Sequence, residues 1–466
     1  MKHLFKILIF LVLLKCTTSV QAKTQIDKKQ DPETTVYANR VKAAFLKGWK
    51  AYKTYAWDMD AVNPISLKGH NWYAESLLMT PIDAFSTMHI MGLKKEEAEA
   101  KKLIFERLNF DKNFEIQQFE IAIRIMGGLL SSYQLDGDKR FLNLAIDLGN
   151  RMLPIFNSPS GMPYRLVNLK TGKVSGNITN PCEIGSMLLE YGMLSKLSKN
   201  PIYYEKCKKG VVAVYKLRGK TGLVGSQINI ETGEWTNTQA HISGGIDAYY
   251  EYLLKGWLLF DDPELKQMWE TSRNAINTYL ADETKTGFWY GWADMNSGER
   301  TLTQFGALDC FWGAVLCLDK DFVRAKKLQK SIDKMWRMYG VEPECINYSN
   351  MKVVAPYYMI RPEAIEATYY LWHFTKDKQY YEMGKNMFES IEQYCQIDNG
   401  YVQIQDVRTM EKWDALESFF FAETMKYCYL FFAPKKAFDL DKCILNTEAH
   451  PFFKTWKINR KGKHHH

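Results

Sequence analysis

Phe119-Glu120-Ile121-Ala122-Ile123-Arg124-Ile125-Met126-Gly127-Gly128-Leu129-Leu130-Ser131-Ser132-Tyr133 places Phe119, Ile123, Met126, Leu130 and Tyr133 at steps of four, three, four and three. That spacing is one face of an α-helix. The same signature recurs over 81–92, 140–153, 183–197, 201–217, 247–259, 263–280, 308–317, 322–339, 362–374, 378–394 and 418–431. Short Gly-containing stretches separate these runs, among them Gly161-Met162-Pro163-Tyr164 and Thr286-Gly287-Phe288-Trp289-Tyr290-Gly291. Helix, extended turn, helix, without a strict sequence repeat, reads as an array of αα-hairpins. At roughly sixty residues per hairpin, the span from Val41 to Phe432 holds about six or seven pairs, which is an α/α toroid.

The 466 residues are 46% hydrophobic and 14% aromatic, enough for one large core, and no Pro/Gly/Ser linker or charge block divides them. The expected organisation is a signal peptide over 1–22, a leader over 23–40, a single domain over 41–452 and a tail over 453–466. The net charge of +8 comes from scattered lysines. That is a solvated basic surface, and no zinc-finger or RNA-binding spacing turns it into a nucleic-acid site. Lys2 and Lys6, the apolar run Leu8–Leu14 and Val20-Gln21-Ala22 make up a secretory signal. The apolar run is too short for a stable transmembrane anchor, and Cys16 raises the question of lipidation. The expected location is secreted or periplasmic, with a secretory-pathway lumen as the alternative, and the expected state is a monomer. Eight cysteines follow the signal. An oxidising compartment allows one or two disulfides, while apolar helical context favours buried free thiols. Lys463-His464-His465-His466 reads as part of a purification tag and is set aside.

Polar residues gather at the helix starts. Glu120 and Arg124 stand four apart, beside the apolar stripe, with Gly127 and Gly128 following on their side. A surface Glu–Arg pair explains the first two; the paired glycines cost helix stability and favour a site over which a ligand approaches. Asp247 follows Ser243-Gly244-Gly245-Ile246 and falls at a helix N-terminus, where a capping role is common. Glu363 follows Pro362 in a first turn, with Glu366 one turn later. Glu183 and Glu190 share a face, as do Phe419 and Glu423. Each acid alone reads as a cap or a solvated group. If the starts face one way, the acids converge as a ring of negative charge suited to a cation or a polyhydroxylated ligand. Histidines are sparse (His70, His89, His241, His373 and His450 away from the ends), and no HExxH, Cys/His pair, serine elbow or phosphate loop is present. Oxygen-rich acids suit calcium over a transition metal.

With Phe119–Asp138, Asp247–Lys255, Arg361-Pro362-Glu363, Glu417–Lys426 and Asn446-Thr447-Glu448-Ala449-His450-Pro451 in view, the chain resembles glycoside hydrolase family 47, the class I α1,2-mannosidases. The resemblance runs from about Val41 to Pro451. It implies an all-α (α/α)7 barrel plugged at one end by a C-terminal β-hairpin. It also implies a calcium-dependent, inverting, exo-acting hydrolase of α1,2-linked mannose oligosaccharides or N-glycans.

Matched residue by residue, Glu120 falls on the family's proton donor, Glu363 on its general base, Asp247 on a third essential acid and Glu344 on a further pocket carboxylate. Thr447 falls on the direct Ca2+ ligand. Arg124, Glu190, Arg361, Glu366, Phe419, Glu423 and Glu448 fall on residues around the terminal mannose or the calcium-bound waters. An inverting mechanism implies acid and base separated by roughly 6.5–9.5 Å, leaving room for a water. Gly245 and Ala307 depart from the arginine and histidine of many endoplasmic-reticulum members and resemble the bacterial or degradation-enhancing branches. Two other readings stand beside this one. One is a lectin-like protein that holds mannose glycans with weak or partner-dependent turnover. The other is an unrelated toroid enzyme such as a sugar epimerase, which would need histidines near the cavity.

Overall fold

A computed structural model describes residues 31–455; the expected signal peptide, Cys16 and the histidine tail lie outside them. Among the described residues, fourteen principal helices alternate between two concentric rings. In chain order they are α1 (Pro32–Tyr55), α2 (Met79–Met91), α3 (Lys94–Arg107), α4 (118–136), α5 (Lys139–Met152), α6 (181–198) and α7 (Ile202–Lys216). There follow α8 (Asp247–Phe260), α9 (Pro263–Tyr279), α10 (308–318), α11 (Phe322–Trp336), α12 (Glu363–Thr375), α13 (Lys378–Cys395) and α14 (420–432). Even-numbered helices form the inner ring and odd-numbered ones the outer. Each outer helix packs on its inner neighbour, α1 closing against α14. The fold is a seven-pair all-α toroid: the periodicity allowed six or seven pairs, and the resemblance implied seven.

Burial separates the rings. Inner helices are apolar nearly all round: α2 buries every residue except His89. Outer helices are amphipathic, as in α5, where Phe141, Ala145, Leu148, Gly149 and Met152 form one buried stripe. The connections are equally asymmetric. From inner to outer helix they take two or three residues at α4–α5, α8–α9, α10–α11 and α12–α13. Each has a left-handed residue (Gly137, Asp261, Lys320, Lys376) and then an aspartate N-cap (Asp138, Asp262, Asp321, Asp377). From outer to inner helix the chain takes long excursions built of short antiparallel hairpins. The toroid therefore has one tight face and one broad rim, and every inner helix starts at the rim.

The C-terminal strands Cys443–Leu445 and Pro451–Phe453 pair antiparallel, with Leu445 opposite Pro451, and fill the axis against α4 and α8. Leu445 and Phe452 are fully buried. Their connecting loop, 446–450, reaches into the middle of the ring.

Three expectations change, and for the cysteines the structure decides between two. Helix α1 begins at Pro32 and buries Tyr37 and Ala38, so the last residues of the expected leader belong to the outer ring. Helix α3, absent from the periodic runs, buries only Glu97, Ala100, Leu103 and Ile104 beneath a charged face. The eight described cysteines are all free and all but Cys345 are buried, so the disulfides allowed by composition are not formed. Finally, Gly127 and Gly128 do not clear a path for a ligand. A Cβ on Gly127 would lie 2.8 Å from Asn446 Nδ2, and one on Gly128 would lie 2.7 Å from Ile82 Cγ2. The glycines let α4 approach the plug loop and α2.

Gly127→Ala tests this. Helix propensity alone favours alanine by about 1 kcal/mol, whereas crowding against Asn446 costs about 1–3 kcal/mol. The variant is expected to unfold at lower denaturant concentration than the parent. An unchanged or higher midpoint would show that the plug does not need the glycine.

Candidate active site

The inner helix starts surround a cavity of about 300 Å³ on the rim side of the plug. Ten of the twelve residues singled out from the sequence line it: Glu120, Arg124, Asp247, Arg361, Glu363, Glu366, Phe419, Glu423, Thr447 and Glu448. Glu344 and Glu190 stand one contact away. Glu344 receives Arg361 through a two-point pair, Nη2 to Oε1 at 2.8 Å and Nε to Oε2 at 3.1 Å. Glu190 lies beneath the floor, fully buried, accepting from Asn446 Nδ2 (2.8 Å) and Tyr252 OH (2.9 Å). Glu183 is elsewhere. The helix breaks after Gly185, and Glu183 is held by Thr179, Arg165 and Gln117.

Local backbone shape aims these groups. Within α4, residues Ile121–Met126 form a π-turn, a distortion that gathers at functional sites. There the Gly127 N–H reaches past Ile123 to Ala122 O, and Ile123 O accepts from Asn446 Nδ2 at 3.1 Å. A second π-turn, Phe420–Thr424, carries Glu423. Asp247 and Glu363 are the first residues of α8 and α12, and the Asp247 carboxylate accepts from Ala248 N–H at 2.8 Å.

Thr447 sits at the tip of the plug loop, its N–H donating to Tyr252 OH at 3.2 Å. Asn446 Oδ1 accepts from the Glu448 and His450 N–H groups at 3.0 and 2.7 Å, closing the turn in which Ala449 takes a left-handed φ of 55°. His450 Nε2 meets Asp83 Oδ1 at 3.0 Å, and Lys426 Nζ donates to Ala449 O at 2.6 Å. Arg124 links the loop to the cavity wall, pairing with Glu448, with Glu120 at 2.9 Å and with Asp83 at 3.5 Å. The guanidinium carbons of Arg124 and Arg361 lie 5.8 and 5.9 Å from the Phe419 ring centre.

Acids outnumber cations here. Glu251, Asp309 and Glu342 join the set and were not singled out as site residues. Glu251 lines the cavity and pairs with buried Lys255 four residues on, a spacing that looks like an ordinary helix pair in sequence. Burial, with neighbouring carboxylates adding to it, pushes Asp247 up to about 6, Glu366 to about 7 and Glu363 to about 8; Arg361 works against the shift at Glu363. Glu190 is raised to about 8 and Asp309 to about 7, burial being the first cause in both. Glu423 and Glu448 are raised as well, mainly by burial. Glu190 Oε2, Glu251 Oε2 and Glu363 Oε2 are buried without a hydrogen-bond partner among the described residues. Among the described residues no histidine lines the cavity, which removes the support an epimerase-like reading would need.

The family model for glycosyl hydrolase family 47 matches residues 44–454. A mannosyl-oligosaccharide 1,2-alpha-mannosidase of Arabidopsis thaliana is 32% identical, the match covering 92% of this chain and 80% of that protein. The human ER degradation-enhancing alpha-mannosidase-like protein 2 is also 32% identical, covering 90% and 78%. The solved alpha-1,2-mannosidase from Trichoderma reesei superposes with a TM-score of 0.82 at 27% identity, over 90% of this chain and 99% of that one.

The raised Glu363 carboxyl has a consequence for stability. Between its ordinary value of 4.5 and about 8 the folded chain holds a proton that the unfolded chain has released. Its contribution therefore falls as pH rises through that window and levels off above it. Glu363→Gln lacks this term. In chelator, the melting temperature of the variant minus that of the parent is expected to grow from pH 5 to pH 8. A flat difference would place Glu363 in an environment that does not disfavour its charge.

Proposed function

The chain belongs to glycosyl hydrolase family 47, and from that premise we propose that it is a calcium-dependent, inverting, exo-acting α1,2-mannosidase that trims terminal mannose from oligosaccharides or N-glycans. The observation that carries this reading is Thr447, held at the floor of a blind cavity among buried carboxylates whose charge the neighbouring arginines and lysines do not balance. A pocket closed by a plug accepts a chain end and excludes a chain interior, which supports exo action.

The donor chemistry fits a hard cation. Among the described residues no three His, Cys, Asp or Glu side chains stand close enough together to hold a metal between them. A calcium ion would take protein oxygen from Thr447, and its bound waters would reach Glu190, Glu366, Glu423 and Glu448. The unpartnered oxygens of Glu190 and Glu363 are acceptors such waters would satisfy. Bound there, calcium supplies positive charge against the sugar diol and offsets the cost of ionising the surrounding acids.

The remaining roles belong to the protein. Glu363 orients the attacking water and takes its proton; Glu120, paired with Arg124, delivers a proton to the departing oxygen. Asp247 and Glu344 complete the acid set. Arg361, fixed by Glu344, and the Phe419 ring position the terminal sugar. Residues 1–22 direct export, so the enzyme works outside the cytoplasm or in a secretory lumen. No helix among the described residues is long and apolar enough to cross a membrane.

Purified protein incubated with α1,2-linked mannobiose is expected to release β-mannose, to stop in EDTA and to resume with added calcium. Glu363→Gln should lower kcat by about 10²–10⁴-fold, and Thr447→Ala should raise the calcium requirement. Mannose-glycan binding without any turnover would overturn the enzymatic reading in favour of a lectin-like one.

A further inference from the structure

Three of the acids around the cavity have a cationic partner: Glu120 pairs with Arg124, Glu344 with Arg361 and Glu251 with Lys255. Asp247 has a thiol. Its carboxyl accepts from the Ala248 N–H at 2.8 Å and from the Cys182 side chain. Cys182 lines the same cavity and is 4% exposed.

Local structure puts the thiol there. Asn180 caps the start of α6 by accepting from Glu183 N–H at 2.8 Å, and Pro181 takes the first helical position. Cys182 therefore falls in the first turn, where its N–H donates to Gly245 O at 2.9 Å. Gly245 has a φ of 96°, a left-handed conformation that glycine adopts without steric cost. It sits in the turn that Ile246 and Asp247 close by donating to Ser243 O, each at 3.1 Å. The first turns of α6 and α8 also touch directly, since a Cβ on Gly185 would lie 2.6 Å from Tyr249 Cδ2. Behind the thiol, Ser186 Oγ donates to Cys182 Sγ at 3.6 Å. The sulfur thus accepts from Ser186 and keeps its own hydrogen for Asp247.

Burial raises the Cys182 thiol well above its ordinary range, so it stays protonated and serves as a donor, not as a nucleophile. A thiol is a weak donor. A guanidinium in its place would hold Asp247 ionised at every working pH. The thiol can turn the carboxyl toward the cavity and still let it gain or lose a proton. Burial lifts Asp247 to about 6, and the Cys182 contact opposes that rise. Glu251 on α8, Arg361 ahead of α12 and Asp309 on α10 face the same carboxyl, and Glu363 lines the same cavity.

We propose that Cys182 is a positioning residue for the reaction, its thiol donating to Asp247 and holding that carboxyl toward the cavity. The link to catalysis rests on the mannosidase reading, in which Asp247 belongs to the acid set. The contact itself does not depend on that reading.

The test has an enzymatic and a spectroscopic arm. With α1,2-linked mannobiose, Cys182→Ala should lower kcat about three- to tenfold, the range of one lost hydrogen bond, and leave KM within about twofold. Cys182→Ser, which restores a donor, should recover most of kcat. A serine variant no better than alanine, or a change confined to KM, would overturn the positioning role. The second arm reads the S–H stretching band of Cys182 in the infrared, isolated by subtracting the spectrum of Cys182→Ala. In chelator the band should move to lower frequency between pH 5 and pH 8, as Asp247 ionises and becomes a stronger acceptor. In an Asp247→Asn background it should stay in place. A parent band that does not move, or one that moves equally without Asp247, would overturn the contact. If the parent protein hydrolyses nothing, the functional reading fails and the infrared comparison alone decides whether Cys182 holds Asp247.

Discussion

The structure turns on how a polar loop is kept at the centre of an apolar ring. Seven inner helices leave an axis that must be filled, and the hairpin Cys443–Leu445/Pro451–Phe453 fills it with Leu445 and Phe452. The loop between these strands cannot meet bulk water from below, so each of its polar groups needs a partner. Asn446 closes the turn and grips α4 at Ile123 O; His450 meets Asp83, and Lys426 takes Ala449 O. Burial lowers the Lys426 ammonium to about 8, with the charge of Glu423 opposing, and lowers His450 despite its Asp83 partner. These are expensive contacts, and they fix where Thr447 and Glu448 stand.

The same contacts tie the floor to the walls. Arg124 touches Glu448 on the loop, Glu120 on its own helix and Asp83 on α2. Asp83 also accepts from Ser418, just ahead of α14. One guanidinium thus couples the plug to the acid on α4, and removing it would leave several carboxylates facing each other without water. A breach in such a network costs more than any one of its bonds. The ring of acids is held against its own repulsion by two arginines, by hydrogen bonds and by burial that keeps part of the set protonated.

Much of this was legible because it is periodic. All the helices but α1 and α3 announce themselves by three- and four-residue steps, and the acids at Asp247 and Glu363 stand where a glycine turn or a proline marks a helix start. Other parts left no local trace. Asp83 and His450 are 367 positions apart and meet only when the ring closes. The π-turns have no composition of their own: the one in α4 meets Asn446 of the plug at Ile123 O, and the one in α14 meets Thr87 of α2 at Ala422 O. Gly127 and Gly128 correctly marked an anomaly, but spacing could not tell close approach of a protein loop from approach of a ligand. Glu251 was hidden by Lys255 four residues on, a pairing that on most helices faces solvent and here faces the axis.

The unequal connections divide the molecule by tolerance to change. On the tight face, links of two or three residues with a left-handed residue and an aspartate cap admit no insertion without uncoupling an inner helix from its outer partner. On the rim, each excursion ends at a helix start whose place is set by ring packing, not by the length of chain that leads to it. A lineage could therefore lengthen, shorten or exchange rim hairpins and alter which glycans are accepted, while the acids stay where the ring holds them. Diversification of specificity and preservation of chemistry are assigned to opposite faces of one toroid.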